Sequence, residues 1–148
     1  MSIIIRLMTP TDYAAVRALW LSCSGMGLND VDDSEEGIAR FLRRNPLTCF
    51  VAEKEGAICG AILSGHDGRR GFIYHTAVHP ECRRSGVGSR LVDAALGALK
   101  AEGISKVALV VFARNEEGNA FWERQGFILR EDIVYRNRGL RELIRMDT

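Results

Sequence analysis

The segment from residue 78 to residue 91 has the residue types and spacing of an anion-binding loop. It reads Val-His-Pro-Glu-Cys-Arg-Arg-Ser-Gly-Val-Gly-Ser-Arg-Leu and joins a predicted strand to a predicted helix. Gly86 and Gly88 lack a Cβ, so the backbone there can approach a ligand closely and turn its N–H groups toward one point. Free amides at the start of a helix bind anions, and the guanidinium groups of Arg83 and Arg84 suit phosphate. The segment therefore predicts a pyrophosphate site.

Two other phosphate-binding loops do not fit this segment. No Gly-x-x-x-x-Gly-Lys-Ser/Thr occurs in the chain, which argues against a P-loop nucleotide hydrolase. Gly86-x-Gly88 lacks the third glycine of the dinucleotide fingerprint, and the strands before it are predicted to form an antiparallel meander. A loop that is merely loosened by glycine, with no ligand, is the alternative interpretation of these two residues alone.

Hydrophobic periodicity predicts the elements that position this loop. Helices are predicted after Thr11, after a cap at Asp33 or Ser34, from about Gly86 to Gly103, and from Asn115 to Gly126; strands are predicted at 3–8, 48–54, 57–65, 72–78, 107–112, 127–135 and 140–146. The order β-α-α-β-β-β-α-β-α-β-β predicts an α/β (α+β) fold, with a mixed, mostly antiparallel sheet of about seven strands and about four helices. We expect residues 1–148 to form a single domain.

Two motifs in this order resemble the GCN5-related N-acetyltransferase (GNAT) family. The run Arg-x-x-Gly-x-Gly at 83–88, preceded by Val-x-Pro and followed by a leucine, is similar to the acetyl-CoA signature of that family. Asn115 and the run Ala-Phe-Trp-Glu-Arg-Gln-Gly-Phe at 120–127 are similar to its second motif. The predicted element order is also that of the GNAT fold. The resemblance thus covers essentially the whole chain and implies a small, stand-alone bacterial acetyltransferase.

The resemblance implies acetyl-CoA as the co-substrate and no metal. The loop amides would hold the CoA pyrophosphate, and the end of the fourth strand would pair through its main chain with the pantetheine arm. In this family the arm lies in an opening between the fourth and fifth strands. The implied cofactor-binding residues are Ala77, Val78, Arg83, Arg84, Ser85, Gly86, Val87, Gly88, Ser89 and Asn115. A plain helix N-cap is the alternative interpretation of Asn115, and the two roles are compatible.

The implied reaction is direct transfer of the acetyl group from the thioester to a primary amine of a small molecule, peptide or protein. Alkylamines have pKa values near ~10, so the site needs a base. Tyr74 and His75 in the fourth strand are the catalytic candidates, since alternation should place one of them on the substrate side. Imidazole has the more suitable pKa of the two side-chain types, although packing on the sheet is an alternative for either residue. A main-chain amide near Ala77 is the candidate for binding the oxyanion.

The sequence departs from the family at Trp122. Family members often carry a tyrosine there, which protonates the CoA thiolate, whereas indole cannot act as a general acid near neutrality. Another acid, an unassisted thiolate (thiols have a pKa near ~8.5) and a weakly active or inactive protein all stay open. A non-catalytic acyl-CoA-binding protein of the same fold is therefore the alternative function. A nucleotide-binding regulatory domain is a third.

Composition and charge argue against several other classes. Twenty Lys and Arg residues against nineteen Asp and Glu residues give a net charge of +1, which provides no general basic field for nucleic acid or membranes. No long apolar stretch follows a charged N-terminus, so no signal peptide or membrane span is predicted and a cytoplasmic location is expected. The four cysteines and three histidines lack zinc-site spacing, and we expect reduced, buried thiols.

Two charged segments belong to the variable parts that should form the substrate pocket. The acidic residues at 29–36 could attract a cationic amine, or they could be a solvated loop and helix cap. The arginines at 136, 138, 141 and 145 could bind an anionic group or a partner subunit in a homodimer, or lie on a solvated edge hairpin. Tyr135 could also reach the pocket.

Overall fold

The computed structural model describes residues 2–147 of the chain. The elements follow the order β1 (Ile3–Leu7), α1 (Tyr13–Leu21), α2 (Glu35–Arg44), β2 (Phe50–Lys54), β3 (Ala57–His66), β4 (Gly71–Val78), α3 (Val87–Ala101), β5 (Val107–Leu109) and α4 (Glu116–Arg124). Short 3₁₀ turns precede α1 and follow β4. The predicted order is therefore confirmed from the first strand to the fourth helix.

Helix starts follow local capping chemistry. The Ser34 hydroxyl accepts a hydrogen bond from the Gly37 amide at 3.0 Å, so Ser34 rather than Asp33 caps α2. The first helix begins at Tyr13 instead of directly after Thr11, because a 3₁₀ turn at Pro10–Asp12 occupies the predicted first turn. The Asp12 carboxylate accepts from the Thr9 amide at 2.8 Å and closes that turn.

The sheet is mixed and mostly antiparallel, as predicted. Its strands lie in the order β1-β2-β3-β4-β5, with antiparallel pairing from β1 to β4 and parallel pairing between β4 and β5. Helices α1 and α2 cover one face, where Val16, Trp20, Ile38 and Leu42 are buried. Helix α3 covers the other face with Val87, Leu91, Val92 and Ala95. Both faces of the central strands are therefore buried, which explains their nearly continuous apolar sequence.

The two C-terminal strands predicted at 127–135 and 140–146 do not form. Within residues 2–147 the sheet has five strands instead of about seven, and β5 ends at Leu109 rather than at residue 112. A three-residue edge strand offers few main-chain groups for a further strand to pair with. Most apolar side chains of these two segments stay exposed: Ile128 has 86% and Leu140 has 96% of its surface accessible. One isolated bridge, Asn29 to Arg145, is the pairing seen there.

Strand β4 has two irregularities that matter for the site. Its pairing with β5 stops at Ile73, opposite Leu109, while β4 itself continues to Val78. The two strands thus separate beside the C-terminal half of β4. Its pairing with β3 steps from Ser64–Ile73 to Ile62–Thr76, so β4 has one more residue than β3 in this interval. That bulge lies at Tyr74 and His75, and it changes the direction of the side chains that follow.

Candidate active site

The start of α3 is open to an anion. Gly86 precedes the helix with φ of +82°, and no side chain caps the helix amides. The first helical hydrogen bond runs from the Arg90 amide to the Gly86 carbonyl, so the amides of residues 87–89 have no partner within the helix. A Cβ at position 86 would meet no atom within 4 Å, and there is therefore room beside these amides. Because α2 and α4 are capped by side chains, α3 differs from them in presenting its positive end to solvent.

Gly88 has a different role from Gly86. A Cβ at position 88 would lie 3.1 Å from the Phe121 ring, so the absence of a side chain lets α4 pack closely on α3. The Gln125 amide nitrogen donates to the Ser89 hydroxyl at 2.9 Å in the same junction. Sequence reasoning assigned both glycines to backbone approach, whereas the structure shows that one of them is needed for helix packing.

Arg83 folds back onto the end of β4. Its Nε donates to the Val78 carbonyl at 3.1 Å, and its terminal nitrogen lies 3.5 Å from the Cys23 sulfur. Cys23 follows α1 and was not singled out as a site residue from the sequence, because it lies 55 positions from Val78. Arg84 is exposed and has φ of +65°. The two neighbouring arginines thus have different environments, one against β4 and one toward solvent.

Asn115 caps α4 and lines a surface cleft. Its side-chain oxygen accepts from the Gly118 amide at 2.9 Å, which establishes the N-cap role. The cleft has a volume of about 510 Å³ and separates the end of α1 from the start of α4. Its lining residues are Ser24, Gly25, Phe112, Arg114, Asn115, Glu116 and Glu117.

Tyr74 and His75 both face the layer of α1 and α2. The Tyr74 ring meets Phe41 of α2 edge-on with 5.6 Å between ring centroids, and the His75 ring meets Trp20 of α1 edge-on at 5.0 Å. The expectation that strand alternation would place one of them on the opposite side was wrong. The bulge in β4 inserts the extra residue there and brings both side chains to one face.

His75 is hydrogen-bonded to a buried carboxylate. Its Nε2 lies 2.7 Å from Oδ1 of Asp33, and their side chains are 15% and 5% exposed. The other carboxylate oxygen, Oδ2, accepts from the Asn29 amide at 2.9 Å. Sequence reasoning placed Asp33 in a helix cap or an amine-attracting cluster. It missed this contact because the two residues are 42 positions apart and neither carries a local signal of the other.

The Tyr74 side chain lies on the same face of β4 as His75. Burial raises the pKa of Tyr74 above its usual value of 10.0, and nearby Tyr135 and Asp32 raise it further. The phenol is therefore protonated at neutral pH and can donate a hydrogen bond.

Trp122 is enclosed by other aromatic rings. Its indole meets Phe121 at 5.0 Å and Phe127 at 5.2 Å between ring centroids, in edge-on geometry in both cases. These three rings pack against the α3 side of the sheet. Trp122 therefore has a packing role at the position where a tyrosine acid was expected from the family resemblance.

Much of the acidic segment maintains loop structure. Asp30 accepts from the Ile144 amide at 2.8 Å, and Asp33 is occupied by His75 and Asn29. Outside that segment, the Asp147 carboxylate accepts hydrogen bonds from the amides of residues 26, 27 and 28 at 2.8–3.1 Å. Arg145 lies 3.0 Å from Asp147, so one of the C-terminal arginines is ion-paired within the chain.

The cysteines are free thiols. Cys49 and Cys59 are buried, Cys23 and Cys82 are partly exposed, and none of the four is in a disulfide. Burial raises the pKa of Cys49 to about 12, and this thiol is therefore unreactive at neutral pH. Between residues 2 and 147, no group of three His, Cys, Asp or Glu side chains could hold a metal ion. No helix in that range is long and apolar enough to cross a bilayer.

The separation of β4 from β5 and the open start of α3 are features that the resemblance to the acetyltransferase family implies. The model of the acetyltransferase (GNAT) family matches residues 13–127. An acetyltransferase of Pectobacterium atrosepticum is 34% identical over 120 residues, which cover 81% of this chain and 84% of that protein. The chain belongs to the GNAT family of acetyltransferases.

Solved structures agree with this assignment of the fold. Ard1 of Thermoplasma volcanium superposes with a TM-score of 0.76 at 26% identity, over 88% of this chain and 85% of that one. PaiA N-acetyltransferase of Thermoplasma acidophilum, solved in complex with coenzyme A, has a TM-score of 0.74 at 19% identity. That likeness covers 88% of this chain and 92% of that protein, and it concerns the fold.

Proposed function

We propose that this chain transfers the acetyl group of acetyl-CoA directly to a primary amine. The observation that carries the proposal is the start of α3, where unpaired amides and the positive end of a helix face open space at Gly86. This arrangement suits a pyrophosphate group. Family membership supports acetyl-CoA as its source, as does the coenzyme A complex of PaiA, a relative in fold.

The proposed path of the cofactor follows β4. The amides of residues 84–89 and the exposed Arg84 would hold the pyrophosphate. The main chain of Ala77 and Val78 would pair with the pantetheine arm, because β4 has no β5 partner beyond Ile73. Arg83 would exchange its hydrogen bond with the Val78 carbonyl for one with the cofactor. Asn115 would contact the arm from the α4 side while still capping that helix.

The proposed chemistry is nucleophilic attack by a neutral amine. The amine nitrogen attacks the thioester carbonyl carbon, a C–N bond forms, and negative charge develops on the carbonyl oxygen beside the Ala77 amide. Collapse of this intermediate breaks the C–S bond and releases CoA thiolate. His75 takes the proton that the amine loses. Tyr74 is suited only to donating a hydrogen bond, because its raised pKa keeps the phenol protonated.

The thiolate leaves without help from residue 122. The Trp122 ring is held between Phe121 and Phe127 and provides no acidic proton. A thiol has a pKa near ~8.5, so a thiolate is a tolerable leaving group near neutrality and can take its proton from water. This accounts for transfer without the tyrosine that many family members carry.

The acceptor is proposed to be a primary amine on a small molecule or on a peptide or protein. The buried Asp33 carboxylate, 2.7 Å from His75, gives this face of β4 a negative charge, which favours a cationic amine before deprotonation. The net charge of +1 gives no support to nucleic acid or membranes as partners.

The test is thiol release from acetyl-CoA with a panel of amines, polyamines and peptides with free N-termini. We expect thiol release with at least one class, matched by an acetylated product in mass spectrometry. If CoA binds and no acceptor yields thiol, the enzyme proposal fails and the acyl-CoA-binding alternative replaces it. If ATP or NAD raises the melting temperature and CoA does not, the assignment of the pyrophosphate site to CoA fails as well.

A further inference from the structure

We propose that Asp33 is the positioning residue of the base: it holds the Nε2–H of His75 and thereby leaves the lone pair of Nδ1 free to accept the proton of the acceptor amine. The inference rests on the proposed function and adds a residue from the α1–α2 segment to its site. Asp33 touches neither acetyl-CoA nor the amine in this proposal and acts through His75.

The carboxylate of Asp33 is firmly held. Its side chain is 5% exposed, Oδ1 lies 2.7 Å from Nε2 of His75, and Oδ2 accepts from the Asn29 amide at 2.9 Å. The Asp33 carbonyl also accepts from the Tyr13 hydroxyl at 2.7 Å. With both carboxylate oxygens and the main chain engaged, Asp33 is fixed in position relative to β4.

This contact determines which ring nitrogen carries the proton. A carboxylate only accepts hydrogen bonds, so Nε2 must be the donor, and a neutral imidazole then has its lone pair on Nδ1. In the described part of the chain, Nδ1 has no hydrogen-bond partner. It is also not one of the fully buried polar atoms. The nitrogen with the lone pair therefore reaches solvent, in agreement with the 15% exposure of the side chain.

The surroundings of the ring hold it in this orientation. The edge-on contact with Trp20, at 71° between the ring planes, restricts rotation from the α1 side. The bulge in β4 directs His75 toward α1, two residues before Ala77, the first of the residues proposed to pair with the pantetheine arm. When Nδ1 takes the amine proton, the imidazolium gains its positive charge beside the Asp33 carboxylate. The buried pair then becomes neutral overall, which favours the transfer.

The chain contains a matched control for this pair. His66 and Glu102 form a second histidine–carboxylate contact, also 2.7 Å between Nε2 and Oε1, at the far end of β3. Neither residue has a role in the proposed site. Glu102→Gln therefore replaces the same kind of carboxylate and should leave acetyl transfer unchanged.

The test compares Asp33→Asn, His75→Gln, the double variant and Glu102→Gln with the wild type. We expect Asp33→Asn to lower kcat about 100-fold while KM for acetyl-CoA changes less than about twofold. Glu102→Gln should keep the wild-type kcat. Since Asp33 acts through His75, adding Asp33→Asn to His75→Gln should change kcat no further. Long-range ¹H–¹⁵N spectra should show the proton of the neutral His75 ring on Nε2 in the wild type, and on both nitrogens in Asp33→Asn.

Several results would overturn the proposal. One is a neutral His75 ring with its proton on Nδ1 in the wild type. Another is a kcat of Asp33→Asn within twofold of the wild type. A third is a double variant whose kcat falls below that of His75→Gln by the same factor that Asp33→Asn alone causes. If Asp33→Asn does not fold, the wild-type ring spectrum and the kcat of His75→Gln decide. If the wild type releases thiol and His75→Gln is equally active, the proposed roles of Asp33 and His75 are rejected and the proposed function stands. A wild type with no turnover on any acceptor rejects the function itself.

Discussion

On the α3 side of β4, the chain presents backbone amides at a helix start; on the α1 and α2 side, it presents side chains held by a buried carboxylate. The first region lies within residues 77–89, apart from Asn115. The second joins His75 to Asp33 across 42 positions and to Trp20 across the sheet face. The proposed cofactor binding thus depends on local backbone conformation, whereas the proposed proton transfer depends on long-range packing. The two regions should respond differently to substitution.

The largest effect is expected at Gly86. Gly86→Val adds a side chain in the open space beside the amides of α3, so we expect the Kd for CoA to rise at least ~100-fold. The positive φ makes valine unfavourable there by about 1–2 kcal/mol. Isothermal titration calorimetry and thermal unfolding measure the two effects separately.

Gly68→Val is the matched control for this substitution. Gly68 has φ of +91°, and a Cβ there would also meet no atom within 4 Å, but this glycine lies in the β3–β4 turn. We expect a similar loss of stability with unchanged CoA affinity. A folded Gly86→Val protein with wild-type affinity for CoA would contradict the assignment of the loop.

A smaller effect is expected at Gly88, where a side chain would disturb the packing of α4 on α3 rather than the approach of a ligand. Gly88→Ala places a Cβ about 3.1 Å from the Phe121 ring, so we expect the free energy of unfolding to fall by about 1–3 kcal/mol. Adding Phe121→Leu should recover part of that loss, since it removes the ring. Urea denaturation measures both.

Gly97→Ala in the same helix provides the comparison for Gly88. Its Cβ would meet no atom within 4 Å, and alanine is the better helix former by about 1 kcal/mol. We expect this variant to be at least as stable as the wild type. Equal behaviour of the two alanine variants would show that Gly88 has no special packing role.

A still smaller effect is expected at Asp147, which ties the C-terminus to the α1–α2 segment. Burial opposes ionisation, but hydrogen bonds from Leu28, Arg145 and Gly27 outweigh it and hold the pKa of Asp147 below 3.8. A lowered folded-state pKa stabilises the protein above pH 3.8 and ceases to do so as the pH falls through that lower value. Asp147→Asn should therefore lose about 1 kcal/mol at pH 7.

Unfolding at two pH values checks this. The difference between Asp147→Asn and the wild type should shrink as the pH is lowered from 7 to about 3, because the wild-type carboxylate begins to protonate. A difference that stays constant over this range would mean that the charge of Asp147 does not contribute.

The smallest effect is expected at Tyr74. Its phenol is protonated at neutral pH because burial and its neighbours raise the pKa, so it cannot serve as the base. Tyr74→Phe keeps the edge-on contact with Phe41 and should change kcat less than about threefold. Steady-state kinetics of Tyr74→Phe, compared with those of His75→Gln, decide which of the two residues is the base. A loss at Tyr74→Phe as large as at His75→Gln would assign a proton-transfer role to the phenol.

The contrast between local and long-range contacts also explains what could be predicted from the sequence. Gly86 before an apolar helical repeat and Ser34 before α2 are local signals, and both appear where expected. The segment at 127–135 is rich in apolar, β-branched and aromatic residues, as strands often are. A strand requires a partner, however, and β5 is too short to provide one. No spacing in the sequence pairs Asp33 with His75, because that contact exists only after α2 and β4 have packed together.

The hydrogen bonds to Asp147 have a consequence for the order of folding. They join amides near residue 27 to a side chain about 120 positions later and so enclose most of the chain in one loop. Closing so long a loop is entropically unfavourable until the sheet between its ends has formed. These hydrogen bonds should therefore form last during folding and break first during unfolding. Hydrogen exchange at the amides of Met26, Gly27 and Leu28 should be faster than in the central strands.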